Sequence, residues 1–167
     1  LIMGMSNATN LADGLDGLAG GLAIPVAIGL SLAAMKFTPF GPDQVAWFGF
    51  ALAGAVIGFL WFNAHPAKIF MGDTGSLALG ASFVGMALVS RREILMLLLS
   101  LVYLAELGSV IIQVSYFKAT HGKRIFKMTP LHHHFQKLAW PETQIVARFW
   151  IVGGLSFAVG MACLRYL

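Results

Sequence analysis

Residues 44–62 read QVAWFGFALAGAVIGFLWF, an unbroken stretch without one charged side chain. A helix rises 1.5 Å per residue, so such a stretch comes close to crossing the ~30 Å hydrocarbon core of a bilayer. Working outward from it, residues 18–36, 75–90, 94–117 and 146–166 meet or approach the same length and apolarity. The segment 75–90 is short, but its small residues (Gly75, Ala78, Gly80, Ala81, Gly85) suit close packing between helices. Pro25 is expected to kink the first full span, and residues 1–6 read as the end of an earlier one.

Composition supports this reading. The 167-residue chain is 58% hydrophobic and 11% charged, with a mean hydropathy of +0.80. Ordinary soluble domains carry about 25% charged residues. A chain this poor in charge cannot clothe a water-facing surface, and it is too apolar to be disordered. The expected fold is all-α and integral to the membrane: a polytopic helical bundle with about five transmembrane helices, forming a single membrane domain over residues 1–167. The opening Leu1-Ile2-Met3, without an initiator methionine, a charged leader or a small-residue cleavage site, reads as the start of a piece of a longer protein. Cys163 is the single cysteine, so no intrachain disulfide is possible, and it reads as a small packing residue.

Five spans make the connections alternate sides. One side collects 7–17, 63–74 and 118–145; the other collects 37–43, 91–93 and the C-terminus. Lys68, Lys118, Lys123, Arg124, Lys127, Lys137 and Arg148 fall on the first side, and Lys36, Arg91, Arg92 and Arg165 on the second. The positive-inside rule puts the first side in the cytoplasm. Asn7, Asn10, Asp13, Asp16, Asn63, Asp73 and the His132-His133-His134 run fall on that side as well. One face carries the chemistry.

Three clusters make up that face. In the first, Asn7, Asn10, Asp13 and Asp16 recur every third residue. Each step of three on a helix turns the side chain back by about 60°, so Asn7 and Asp16 would point apart on an unbroken helix. Gly14 and Gly17 allow a bend that lets the four converge. They could also serve only as caps at a polar helix end, although acids and amides entering an apolar span are costly without a partner. In the second cluster, Asp73 ends a loop at an expected helix start. It could be the helix N-cap with Ser76 three residues on, or a carboxylate holding Mg²⁺ against phosphate. The third places His132, His133 and His134 among Lys118, Lys123, Arg124, Lys127 and Lys137. Zinc spacing is absent there, while imidazoles and lysines suit an anionic substrate or anionic lipid head groups. Glu106 and Gln113 share a helical face within a span, as a structural pair or as substrate contacts. His65 and His121 stand alone and receive no role.

The stretches NATNLADGLDGLAGGLA (7–23), WFNAHPAKIFMGDTGSLALG (61–80) and TPLHHHFQKLAWPE (129–142) resemble, in this order, the cytoplasmic motifs of the phospho-N-acetylmuramoyl-pentapeptide transferases. These belong to the polyprenyl-phosphate sugar-1-phosphate transferase superfamily. The resemblance implies a roughly ten-helix, Mg²⁺-dependent enzyme of the bacterial inner membrane with a cytoplasmic active site. It would move phospho-MurNAc-pentapeptide from UDP-MurNAc-pentapeptide to undecaprenyl phosphate, giving lipid I and UMP for peptidoglycan synthesis. Asp73 matches the family's magnesium-binding aspartate. Asn10, Asp13, Asp16, Asn63 and Phe70 match positions lining the nucleoside pocket, Asn7 is grouped with them, and Gln113 matches a position near it. His132, His133 and His134 match the family's histidine motif, in substrate binding or catalysis. The partners implied are the two substrates and the bilayer, with a possible homodimer and no nucleic acid. Two positions depart from the family's pattern: Gln136 stands where an acid is usual, and Ala139 where a glycine usually precedes Trp-Pro-Glu. The family's adjacent aspartate pair and active-site lysine fall in an N-terminal half that this chain does not carry, so the piece alone is expected to be inactive.

Two rival functions remain. A sister enzyme using UDP-GlcNAc would share the first two clusters, but three contiguous histidines followed by Trp-Pro-Glu favour the muramoyl branch. A transporter or non-catalytic membrane subunit would spread its charges through the spans. In this sequence Glu106 is the acid clearly inside one, and the polar groups gather at one face.

Overall fold

The computed structural model describes residues 1–37 and 42–164, and every regular element among them is helical. In chain order these are α1 (Ile2–Ala12), α2 (Leu18–Phe37), α3 (Pro42–Asn63), α4 (Gly72–Ser90), α5 (Glu93–Leu99), α6 (Leu101–Ala119), α7 (Leu131–Gln136) and α8 (Glu142–Cys163). Helices α2, α3, α4, α6 and α8 are long and apolar enough to cross a membrane. The chain is therefore a polytopic helical membrane protein, as its composition requires. Most of the connection 37–43, as well as Arg165, lies outside the described residues.

Helix α2 is the central post. Two-thirds of its spanning window is enclosed by protein (67%), against 22% for α3 and 28% for each of α6 and α8. Leu18, Leu22, Val26 and Leu30 are buried along α2, which packs on α3, α4, α5 and α8. The outer helices turn large side chains such as Trp47, Ile57, Ile111, Ile151 and Leu155 outward, which suits a lipid surroundings rather than water. Helix α2 runs unbroken from Leu18 to Phe37 with Pro25 inside it.

The expected span 94–117 is two helices. The chain turns at Ser100, whose backbone (φ −99°, ψ 17°) leaves the helical region. Packing explains the break: Leu95 and Leu99 of α5 press into the notches left by Gly29 on α2 and Gly160 on α8, while α6 diverges to pack on α1. Pattern could not reveal it, because the run LMLLLSLVYL is apolar all round.

A second close approach sets the site. Helices α1 and α4 cross at Gly80, where a Cβ would lie 2.5 Å from Thr9 Oγ1 and 2.6 Å from the Met5 carbonyl oxygen. The Thr9 hydroxyl donates to the Ser76 carbonyl at 2.7 Å across this crossing. The ends of α1, α3 and α6 and the starts of α2, α4 and α8 therefore meet at one end of the bundle, with α7 lying beside them.

Candidate functional site

At that end α1 stops at Ala12, with Asp13 as its C-cap, and α2 starts at Leu18. The turn between them uses Gly17 at φ 76°, a left-handed conformation that glycine adopts without cost. Asn7 and Asn10 thus lie on a helix, whereas Asp13 and Asp16 lie on the turn. The chain bends where the two glycines allow, but only part of the series converges. Asn7 is exposed, and its amide donates to the Met3 carbonyl at 2.7 Å.

Asn10, Asp13, Gly14, Leu15, Asp16, Asn63, Phe70, Gly72 and Asp73 line one cavity of about 300 Å³. Asp73 sits in the first turn of α4 and is exposed. It is not the N-cap, a position held by Met71; the Ser76 hydroxyl donates instead to the Gly72 carbonyl at 2.9 Å. Asn10 fixes the carboxylate from across the cleft: its Nδ2 donates to Asp73 Oδ1 at 2.8 Å and to Ser76 Oγ at 3.0 Å. Burial and the nearby Asp73 carboxylate push the Asp13 carboxyl up to about 6, against the lowering effect of a hydrogen bond from the Gly72 backbone. Two carboxylates thus face one small cavity beside a helix N-terminus, and among the described residues that line it there is no lysine or arginine. Phe70, 76% exposed, presents an aromatic face at its rim.

Asn63 is buried and acts as a clamp. Its Oδ1 accepts from the Gly17 N–H at 3.1 Å, and its Nδ2 donates to the Ile69 carbonyl at 2.8 Å. The Asp16 carboxylate is also engaged, 3.0 Å from His65 Nδ1 and accepting from the Ala67 N–H at 3.0 Å. The Asp16 N–H in turn donates to Glu142 Oε1 at 2.8 Å. Asp16, His65 and Glu142 bring their ligand atoms within 4.8 Å of one another, the geometry of a possible ion site. Their existing hydrogen bonds make them a junction of three loops. Sequence reasoning missed His65 and Glu142. The histidine had no spaced partner, and the acid after Pro141 has the form of an ordinary first-turn residue.

The histidine run forms the short helix α7, and its members separate. His132 is wholly buried against Glu106. His133 Nδ1 lies 2.7 Å from Gln136 Oε1, and His134 Nδ1 accepts from the Lys127 N–H at 3.1 Å. None of the three lines the Asp73 cavity. Gln113 does not pair with Glu106 and lies elsewhere than the Asp73 cavity. Its Oε1 accepts from the Ile125 and Phe126 N–H groups at 3.0 Å, and it lines a separate 380 Å³ cavity with Lys118 and Arg124.

Of the two departures from the expected pattern, the first has a local counterpart and nothing in the structure explains the second. Gln136 offers His133 a carbonyl oxygen where an acid would offer a carboxylate oxygen. Ala139 stands at φ 62°, where glycine is the residue that costs least.

Fold and site together define a helical membrane protein that gathers Asn10, Asp13, Asp16, Asn63, Asp73 and the histidine run at one end of the bundle. The profile of glycosyl transferase family 4 matches residues 1–91, and the chain belongs to that family. It is 47% identical to the phospho-N-acetylmuramoyl-pentapeptide-transferase of Cutibacterium acnes, over 96% of this chain and 50% of that protein. The proteins of the same name from Heliobacterium modesticaldum and Brachyspira hyodysenteriae are 52% and 48% identical, over 96% and 99% of this chain and 49% and 46% of theirs. The chain spans about half the length of the curated relatives it matches.

Proposed function

We propose that this chain forms half of a transferase of the inner, cytoplasmic membrane of bacteria. The enzyme would carry phospho-MurNAc-pentapeptide from UDP to undecaprenyl phosphate, releasing UMP, with its site on the cytoplasmic face. The observation that carries the reading is the Asp73 cavity: Asp73 held by Asn10, facing Asp13, beside the exposed ring of Phe70.

The donor is a diphosphate ester, and the acceptor brings a further phosphate, so the main demands are charge neutralisation and alignment. The paired Asp13 and Asp73 carboxylates suit a divalent cation, and magnesium is content with one or two of them while keeping waters. Magnesium bound there would supply the charge neutralisation. Asp73 is the ligand we assign, with Asn10 orienting its carboxylate so that one oxygen stays free. The Phe70 ring offers a stacking face for the uracil, while Asn63, together with Asp16, shapes the nucleoside pocket by pinning the loops around it. His133 and His134, on the surface of α7 beside the basic loop, would meet anionic groups of the substrates, and His132 would act from behind them. Asn7 and Gln113 lie outside the cavity, and direct contact by either would come from parts of the donor beyond the nucleotide. The acceptor's phosphate can reach this end of the bundle while its tail stays among the outward-facing apolar side chains of the spans.

The test uses the full-length protein in detergent with undecaprenyl phosphate and Mg²⁺. UMP release is followed from UDP-MurNAc-pentapeptide and, separately, from UDP-GlcNAc. Release from the muramoyl donor alone is expected. Release from UDP-GlcNAc alone would move the protein to the sister branch, and release from neither would return the non-catalytic reading.

A further inference from the structure

Glu106 lies inside α6 with no exposed surface, and so does the side chain of His132 on α7. Glu106 Oε1 stands 3.3 Å from the His132 backbone nitrogen, which donates to it, and 3.3 Å from His132 Nδ1. Among the described residues, Glu106 Oε2 and both ring nitrogens of His132 have no hydrogen-bond partner, so the two side chains face each other without a formed hydrogen bond. A polar pair enclosed this completely is costly, and an apolar pair of similar volume would often be as stable or more so. The opposite edge of the imidazole points at the candidate site. A Cβ on Gly14 would overlap His132 Nε2 and come within 3.0 Å of Cε1. Gly14 lies between Asp13 and Asp16 and lines the Asp73 cavity. The ring is therefore a wedge between α6 and the acidic turn. A proton on Nδ1 would point toward the Glu106 carboxyl oxygen 3.3 Å away, whereas Nε2 faces Gly14 and meets no acceptor there.

We propose that Glu106 is a positioning residue: it fixes the orientation and tautomer of His132, whose ring, seated against Gly14, sets where Asp13 and Asp16 stand in the cleft. The kinetic part of this inference rests on the transferase reading above; the tautomer and the stability of the pair do not.

The experiment compares full-length wild-type protein with Glu106→Gln, Glu106→Leu and the double variant Glu106→Leu/His132→Leu. It reads UMP release, thermal midpoint and the ¹⁵N shifts of the His132 ring. The wild type is expected to show the Nδ1–H tautomer. Glu106→Gln keeps an accepting oxygen, so it retains that tautomer and more turnover than Glu106→Leu. Glu106→Leu leaves His132 buried and unpaired, lowering the midpoint, and misplacement of the acidic turn lowers kcat by about 100-fold. In the double variant the midpoint recovers while kcat stays low. Recovery of both would show a pair that only packs and would overturn the proposal. So would an Nε2–H tautomer in the wild type, or equal turnover in the Gln and Leu variants. Should the double variant fail to fold, the Gln-against-Leu comparison and the ring shifts decide. Absence of UMP release from the wild type would sink the transferase reading, and the ring shifts would still test the tautomer.

Discussion

The Asp73 cleft and the Glu106–His132 pair lie at the same end of the bundle, a glycine apart, and they treat polar groups in opposite ways. In the cleft, Asp73 is exposed, and Asp13 shares the cavity with it at the cost of a raised carboxyl. Behind Gly14, Glu106 and His132 are sealed off and have little but each other. Charge that remains accessible is suited to binding a cation or an anionic ligand. Polar groups enclosed in pairs are suited to holding geometry. The comparison assigns binding to the first region and positioning to the second.

Widening the cleft should separate the two most strongly. Gly80→Ala puts a Cβ against the α1 backbone, so we expect a loss of about 1–3 kcal/mol of stability, read as a lower thermal midpoint. The same change pushes Asn10 away from Asp73 and should weaken Mg²⁺-dependent nucleotide binding. Gly85→Ala on the same helix meets nothing within 4 Å, so it should leave nucleotide binding unchanged and raise the midpoint slightly through helix propensity.

The pH response sharpens the comparison. An acid whose carboxyl is raised on folding binds more protons in the native state between its ordinary value of 3.8 and about 6. Stability from this group therefore falls as pH rises through that window and stays low above it. In EDTA, the wild-type midpoint should drop between pH 4 and pH 6 relative to Asp13→Asn. Magnesium should reverse the drop near neutral pH, because a bound cation favours the ionised form.

The smallest effect lies beyond both regions. Ala139→Gly relieves a left-handed alanine and should raise stability by about 1 kcal/mol, with turnover unchanged. A lower midpoint would mean that the turn before Trp140 needs the methyl group.

Much of this was legible in the chain. The five spans follow from length and apolarity, and the gathering of Asn10, Asp13, Asp16, Asn63 and Asp73 at one end follows from their alternation with those spans. What escaped is packing. The break at Ser100 depends on notches at Gly29 and Gly160, far away in sequence, and a uniformly apolar run carries no period to reveal it. The expected sharing of a face by Glu106 and Gln113 was sound helical geometry, yet each found its partner across a loop, at His132 and at the Ile125–Phe126 backbone. His65 became part of a junction only because the turn at Gly17 carries Asp16 toward it.

The most direct measurement is UMP release from UDP-MurNAc-pentapeptide by the full-length protein and its Asp73→Asn variant, across a magnesium titration. Loss of a preorganised charged group from such a site costs about 10²–10³-fold in turnover, so the variant should be slower by at least that much at every magnesium concentration. Wild-type turnover in Asp73→Asn, with an unchanged magnesium requirement, would contradict the assignment of this cleft as the site of phosphoryl transfer.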